Sequence, residues 1–147
     1  MKGDSIPIQN HISRCCFASK CTEDGKVTGA AFQLRETEKY LSVNWLEYLK
    51  LPNRHDEIQE IRRVLNSKLT LTANAKIAVL NVGDILSYVR DNTPDNRNLN
   101  VMHEPIEDEQ EVYDPSHSGI YGFRFDDHMI ADLIADVVQE IHPARES

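Results

Sequence analysis

The chain has 147 residues, of which 40% are hydrophobic and 27% are charged, and its formal net charge is -8 at pH 7. This length suits one domain with a buried core, and the composition is that of a globular chain rather than a disordered one. The excess of carboxylates argues against nucleic-acid or anionic-membrane partners, because neutralising phosphates takes clustered lysines and arginines. We therefore expect a single domain over residues 1–147 with neither kind of partner, although a small phosphorylated ligand needs only one or two cations.

The first residues, MKGDSIPIQN, contain no apolar stretch typical of a secretory signal. No segment approaches the roughly 18 apolar residues of a transmembrane helix. These two features predict a cytoplasmic protein. The chain has an odd number of cysteines, three, and a reducing compartment disfavours disulfides, so no disulfide framework is expected.

The first half of the chain predicts a strand, a mixed element and a helix. Residues 25–35 (GKVTGAAFQLR) follow the turn-like TEDG and predict a strand. Residues 39–51 (KYLSVNWLEYLKL) begin with the alternation of a strand and end with helical spacing. Residues 53–67 (NRHDEIQEIRRVLNS) predict a helix with Asn53 as its N-cap, because acids occupy the first turn and arginines lie near the end.

The second half predicts three strands and two helices. The run KIAVLNV (76–82) is typical of a buried strand, and DILSYVRDN (84–92) of a short helix. Residues 99–103 and 118–125 predict further strands. Residues 126–143 (DDHMIADLIADVVQEIHP) have the broadest apolar face and predict one long helix. Together these elements indicate a single α+β domain: a mostly antiparallel sheet of four or five strands with two or three helices packed on it.

A metal site near the N-terminus would combine His11 with Cys15, Cys16 and Cys21, since zinc prefers imidazole and thiolate ligands. The spacing lacks the C-x2-C pair of zinc knuckles, and adjacent cysteines on a strand point to opposite faces. Unpaired cysteines are usually small buried residues. We therefore predict no cofactor and no metal, and keep the cysteine site as the weaker alternative.

His11 and Arg14 are a candidate polar pair. Arginine can hold a phosphate or carboxylate with two parallel hydrogen bonds, and a neighbouring histidine could complete an anion site. The alternative is an exposed arginine and a strand-end histidine, which base rates of polar exposure favour.

His103 and His117 lie beside proline turns, each at the end of a predicted strand. An imidazole pKa of about 6.5 would let such a pair accept and donate a proton at neutral pH. Ser42, Ser118 or Tyr121 could add a hydroxyl to such a site.

No complete catalytic motif supports that interpretation. There is no G-x-S-x-G elbow and no glycine-rich phosphate loop. Asp114 and Ser116 could instead form a local turn with which His117 hydrogen-bonds. The sequence leaves open whether His117 is catalytic, and whether the chain is an enzyme.

Four segments, HISR, GAAFQLR, YLSVNWLEYL and VYDPSHSGIYG, resemble motifs of a group of small bacterial proteins with no established activity. The shared pattern is His-x-x-Arg, Leu-Ser-Val and Asp-Pro-x-His-Ser in that order, and it spans most of the chain. The resemblance implies a stand-alone bacterial domain encoded beside defence or stress genes. It also implies that His11, Arg14, Ser42 and His117 meet in one pocket.

Two functional hypotheses follow. The preferred one is a small acidic accessory protein that binds another bacterial protein and has no catalysis of its own. The alternative is a small enzyme or ligand-binding domain for a nucleotide-like or phosphorylated molecule, in which Arg14 holds the anion and His11 and His117 supply acid–base or hydrogen-bond contacts. The alternative requires these three residues and Ser42 to line a single cleft.

Overall fold

The computed structural model describes residues 2–107 and 112–145. Six strands form one antiparallel sheet in the order β4-β5-β2-β1-β3-β6. They are β1 (His11–Cys16), β2 (Leu41–Trp45), β3 (Lys76–Asn81), β4 (Asn100–His103), β5 (His117–Tyr121) and β6 (Val138–Pro143). The helices are α1 (Arg54–Lys68), α2 (Val82–Asp91) and α3 (His128–Asp136), and short 3-10 turns lie at Ala18–Lys20, Gly29–Phe32 and Glu47–Leu49. The α+β class and the antiparallel pairing are confirmed, although the sheet has six strands rather than four or five.

The helix α1 begins where the sequence predicts. The Asn53 side chain accepts a hydrogen bond of 2.9 Å from the Asp56 amide, which satisfies one of the unpaired donors of the first turn. Asp56 and Glu57 lie in that turn and Lys68 in the last, an order that suits the helix dipole. The strand followed by a short helical turn predicted for residues 39–51 is also present, as β2 and Glu47–Leu49.

The sheet has a core on each face. The front face is the one that α1 covers, and its core consists mainly of Leu46, Ile58, Ile61, Leu65, Ile77 and Val79. The back face is covered by α2, α3 and the turn Gly29–Phe32, around Ile12, Leu41, Val43, Leu80 and Ile120. Because side chains alternate along a strand, polar residues at alternate positions of β1 and β2 share the front face with α1.

The C-terminal element differs from the prediction. The helix predicted for residues 126–143 ends at Asp136, and the chain continues as β6, which pairs with β3. The backbone of β3 is buried from Ile77 to Leu80, so the polar groups along its second edge need hydrogen-bond partners from the chain. That tertiary demand overrides a helical pattern, which the β-branched pair Val137–Val138 also weakens.

The strand predicted for residues 25–35 is wrong. Val27 makes only an isolated bridge with Cys21, and the 3-10 turn Gly29–Phe32 follows. This turn packs against α3 so closely that a Cβ on Gly29 would lie 3.0 Å from the Asp132 Cα. Packing of the turn against a helix therefore replaces pairing with a strand.

The N-terminal segment covers the outer edge of β4. The amides of Gly3 and Ile6 donate to the carbonyl oxygens of His103 and Val101, and the His103 amide donates to Asp4. Covering an edge in this way satisfies its backbone groups and blocks pairing with other chains. Within the described residues, none of the helices has the length and apolar character needed to cross a membrane.

Candidate functional site

A cleft of about 460 Å³ opens on the front face, beside the C-terminal end of α1. Its floor is the surface of β1, β2 and the start of β5. One wall is the last turn of α1, and the other is the segment that follows the turn Gly29–Phe32. The volume is within the range of pockets that hold small organic ligands, roughly 300–1,000 Å³.

The cleft exists because β1 and β2 separate. The two strands pair only through Ile12 with Trp45 and Ser13 with Asn44, and beyond these pairs they diverge. The Arg14 guanidinium bridges the gap: Nε donates to the carbonyl of Ala31 at 2.9 Å, and Nη1 donates to that of Ser42 at 2.8 Å. Arg14 therefore stabilises the split between the strands and also contributes to the cleft lining.

Two of the three guanidinium nitrogens are thus fixed by backbone carbonyls. The third, Nη2, has no hydrogen-bond partner among the described residues, and it is not enclosed. Burial lowers the pKa of Arg14, with Cys16 and Glu38 opposing the shift, but arginine stays charged at physiological pH. The cleft therefore contains a preoriented cation whose Nη2 amino group is available.

The floor presents hydroxyl groups without partners. Ser13 lies opposite Asn44 in the sheet, and Ser42 lies two residues earlier on the same face of β2. Ser13 is only 2% exposed, yet its hydroxyl and that of Ser42 have no hydrogen-bond partner among the described residues. Since both residues line the cleft, these hydroxyls can bond to a ligand.

His117 completes the floor at the start of β5, opposite Asn44. Its Nδ1 lies 2.9 Å from the Glu104 carbonyl oxygen, and its ring packs edge-on against Tyr40 at a centroid distance of 5.9 Å. Tyr40 can lie there because Gly119 has no side chain, since a Cβ at that position would be 2.3 Å from the Tyr40 ring. Burial lowers the pKa of His117, so the neutral imidazole is favoured at pH 7.

A buried carboxylate organises the neighbouring residues. Asp114 is fully buried; Oδ2 accepts from Lys68 Nζ at 2.6 Å and Oδ1 from Asn44 Nδ2 at 2.9 Å. The Ser116 hydroxyl accepts a second bond from Asn44 Nδ2, also at 2.9 Å. This network fixes the end of α1, one wall of the cleft, to the turn that precedes His117.

The charge of the cleft is opposite to that of the chain. Four cationic residues, Arg14, Lys20, Arg35 and Lys68, line it together with one carboxylate, Glu38. The whole chain carries a net charge of -8. A cationic concave site on an acidic molecule favours anions locally.

The cleft includes three of the six residues proposed from sequence: Arg14, Ser42 and His117. The others lie elsewhere. His11 Nδ1 is 2.6 Å from a carboxylate oxygen of Glu47. The Ser118 hydroxyl donates to the Ser116 carbonyl, and the Tyr121 hydroxyl donates to Glu104. The expected meeting of His11 and His117 in one pocket is not seen, so the alternative as stated, with both histidines at the ligand, is not supported, and any ligand of this cleft is held without His11.

The cysteines lie on different faces. Cys15 packs beside the front core and lines the cleft, whereas Cys16 is buried in the back core. All three thiols, including Cys21, are unpaired. Burial raises the pKa of Cys16 to about 12. Across residues 2–107 and 112–145, no three His, Cys, Asp or Glu side chains are grouped to hold a metal ion.

Sequence reasoning missed Ser13, Asn44, Lys68 and Asp114. Asn44 had a detectable signal, since it is a polar residue between Val43 and Trp45 in a strand. Ser13 lies between Ile12 and Arg14 and had a weaker one. Lys68 and Asp114 had none, because they are 46 residues apart and only the tertiary fold brings them together.

Comparison with known proteins gives no assignment. No family model matches the chain. No curated protein matches it significantly, and neither does any solved structure.

Proposed function

We propose that this protein binds a small organic anion, a phosphorylated or carboxylated molecule, in the cleft beside α1. The proposal rests mainly on how the Arg14 side chain is held. Its guanidinium is held in place by the Ala31 and Ser42 carbonyls, while Nη2 remains available at the cleft. A cation that is already oriented loses little conformational entropy when an anion binds.

The surroundings of Arg14 suit an oxyanion. The hydroxyls of Ser13 and Ser42 can donate hydrogen bonds, and Lys20 and Arg35 add positive charge to the lining, whereas the charge of Lys68 is paired with Asp114. Phe17 and Leu69, which are about two-fifths exposed, form an apolar rim that can cover the uncharged part of a ligand. Small-molecule sites combine apolar surface with a few polar groups that orient the ligand, and this cleft contains both.

The accessory-protein hypothesis has weaker support. It requires a contiguous exposed apolar patch. The large apolar side chains exposed among the described residues include Ile8, Tyr113 and Met129, from distant parts of the sequence. Exposed apolar residues are normal on protein surfaces, so their presence alone does not indicate a protein partner. We therefore place ligand binding first, and a protein partner second.

Isothermal titration calorimetry with inorganic phosphate and adenosine monophosphate tests the proposal. We expect Arg14→Lys to weaken binding of both probes by roughly tenfold, because a lysine cannot hold two carbonyls and also contact the anion. Ser13→Ala removes a hydroxyl without a partner among the described residues, so it should weaken binding and leave the melting temperature nearly unchanged.

The matched control is Arg63→Gln, which removes an exposed arginine that is paired with Glu60 on the surface of α1. It should bind both probes as the wild-type protein does. The proposal is wrong if the wild-type protein binds neither probe at millimolar concentration, or if Arg63→Gln weakens binding as much as Arg14→Lys.

A further inference from the structure

The tautomer of His117 follows from its hydrogen bond. Nδ1 lies 2.9 Å from the Glu104 carbonyl oxygen, and a carbonyl oxygen can only accept. Nδ1 therefore carries the proton. In the neutral ring, the second nitrogen, Nε2, then has a lone pair and is a hydrogen-bond acceptor.

That acceptor is open to the cleft. Among the described residues, one fully buried side-chain nitrogen or oxygen atom has no hydrogen-bond partner, and it is His103 Nδ1. Nε2 of His117 also has no partner in the described chain, so it must be accessible. His117 is only 6% exposed and lines the cleft, which places that access on the cleft side.

His117 differs in this respect from the other polar groups proposed to contact the ligand. Arg14 and Lys68 can only donate hydrogen bonds, and the hydroxyls of Ser13 and Ser42 can rotate to donate to an anion. An oxyanion that carries no O–H group, such as sulfate or the dianion of a simple phosphate ester, satisfies these donors but offers nothing to Nε2. A neutral imidazole left facing an anion would lose a hydrogen bond with water and gain none in return.

We infer that the preferred ligand is a hydroxylated phosphate ester, in which the phosphate contacts Arg14 and a hydroxyl group of the organic part donates to Nε2 of His117. Sugar phosphates and nucleoside monophosphates share this chemistry. The inference rests on the proposed function, since it concerns the same cleft. It adds that the site selects ligands by a hydroxyl as well as by charge.

Two probes that differ only in hydroxyl groups test it: glycerol 3-phosphate and propyl phosphate, titrated calorimetrically at pH 7.5. We expect wild-type protein to bind glycerol 3-phosphate roughly five- to tenfold more tightly, the effect of one additional hydrogen bond. Sulfate, which has no O–H group at pH 7.5, is the reference for the anion contact alone.

His117→Asn is the informative variant. Its amide group can keep the hydrogen bond to the Glu104 carbonyl, but it has no atom at the position of Nε2. The preference for glycerol 3-phosphate should fall to within twofold, while the affinity for sulfate changes little. His117→Gln provides a second variant if His117→Asn fails to fold, as judged by circular dichroism.

The two proposals fail differently. If wild-type protein binds inorganic phosphate but shows no preference between the two esters, the role of His117 is wrong and the anion site stands. Persistence of the preference in the folded His117 variant would overturn that role in the same way. If neither inorganic phosphate nor either ester binds, the proposed function itself is wrong.

Discussion

At the scale of single residues, Arg14 has a structural and a binding role in one side chain. Its guanidinium supplies hydrogen bonds to Ala31 and Ser42 where β1 and β2 separate. A buried carbonyl without a partner costs about 1–3 kcal/mol, so the split sheet depends on this arginine. The same two contacts leave the Nη2 amino group without a partner among the described residues, in a side chain that lines the cleft.

His117 is the second residue whose surroundings determine its chemistry. Burial is the largest cause of its lowered pKa and the positive charge of Lys68 adds to the shift, while the Glu104 carbonyl and the carboxylates of Asp114 and Glu104 oppose it. In the folded protein the ring therefore stays neutral at pH values below its ordinary pKa of 6.5. The unfolded chain, in contrast, takes up a proton there.

This difference predicts a pH dependence of stability. Where the unfolded chain binds more protons than the folded one, the free energy of unfolding decreases as the pH falls. His117 should therefore reduce the free energy of unfolding as the pH falls below about 6.5, until the folded form is also protonated. Well above pH 6.5, His117 should not make the free energy of unfolding depend on pH.

The measurement is urea denaturation of the ligand-free protein at a series of pH values between about 8 and 5. His117→Asn should lose less stability over this range than wild-type protein does, because asparagine does not titrate. Parallel curves for the two proteins would show that the His117 pKa is the same in the folded and unfolded states.

At the scale of elements, one ion pair connects α1 to β5. Lys68 in the last turn of the helix contacts Asp114, which lies three residues before β5 and also accepts from Asn44. Asp114 is fully buried. Removing the lysine leaves a buried carboxylate without its cation, which is more costly than removing both charges.

A double-mutant cycle checks this connection. We expect Lys68→Met to reduce the free energy of unfolding by about 3 kcal/mol. In the Asp114→Asn background, the same change should cost much less, since no buried negative charge remains. Chemical denaturation of the four proteins gives the coupling energy, and additive effects would mean that the pair does not stabilise the fold.

The elements also show what sequence patterns can predict. The helix α1 and strand β3 follow directly from the Asn53 cap and the continuous apolar run Lys76–Asn81, because these signals are local. The end of α3 and the strand β6 depend on the open edge of β3, which is distant in sequence. The apolar periodicity of residues 126–143 is compatible with one long helix. Only the pairing of β6 with the edge of β3 shows that the helix ends earlier.

The candidate site follows the same rule. Arg14, Ser42 and His117 were predictable as polar residues within or beside apolar strand segments, but their meeting depends on the pairing of β1, β2 and β5. His11 had the same sequence signal as these residues. It lies outside the cleft because its ring contacts Glu47 in the 3-10 turn after β2.

At the scale of the whole molecule, charge is distributed unevenly. Beyond the cleft, a second cationic surface is formed by Arg62, Arg63 and Arg145. Arg63 pairs with Glu60, and Arg62 and Arg145 donate to backbone carbonyls. Among the residues described at this second surface, no hydroxyl without a partner lies beside an arginine, as Ser13 and Ser42 do beside Arg14. We therefore expect anions to bind in the cleft.

A titration of ¹⁵N-labelled protein with adenosine monophosphate, followed by backbone and arginine Nε–H resonances, tests the central claim most directly. The largest shifts should fall on Ser13, Arg14, Ser42, Asn44 and His117, including the Arg14 side chain. Saturable shifts centred instead on Arg62, Arg63 and Arg145, or no saturable shifts at all, would contradict the assignment of the cleft as an anion site.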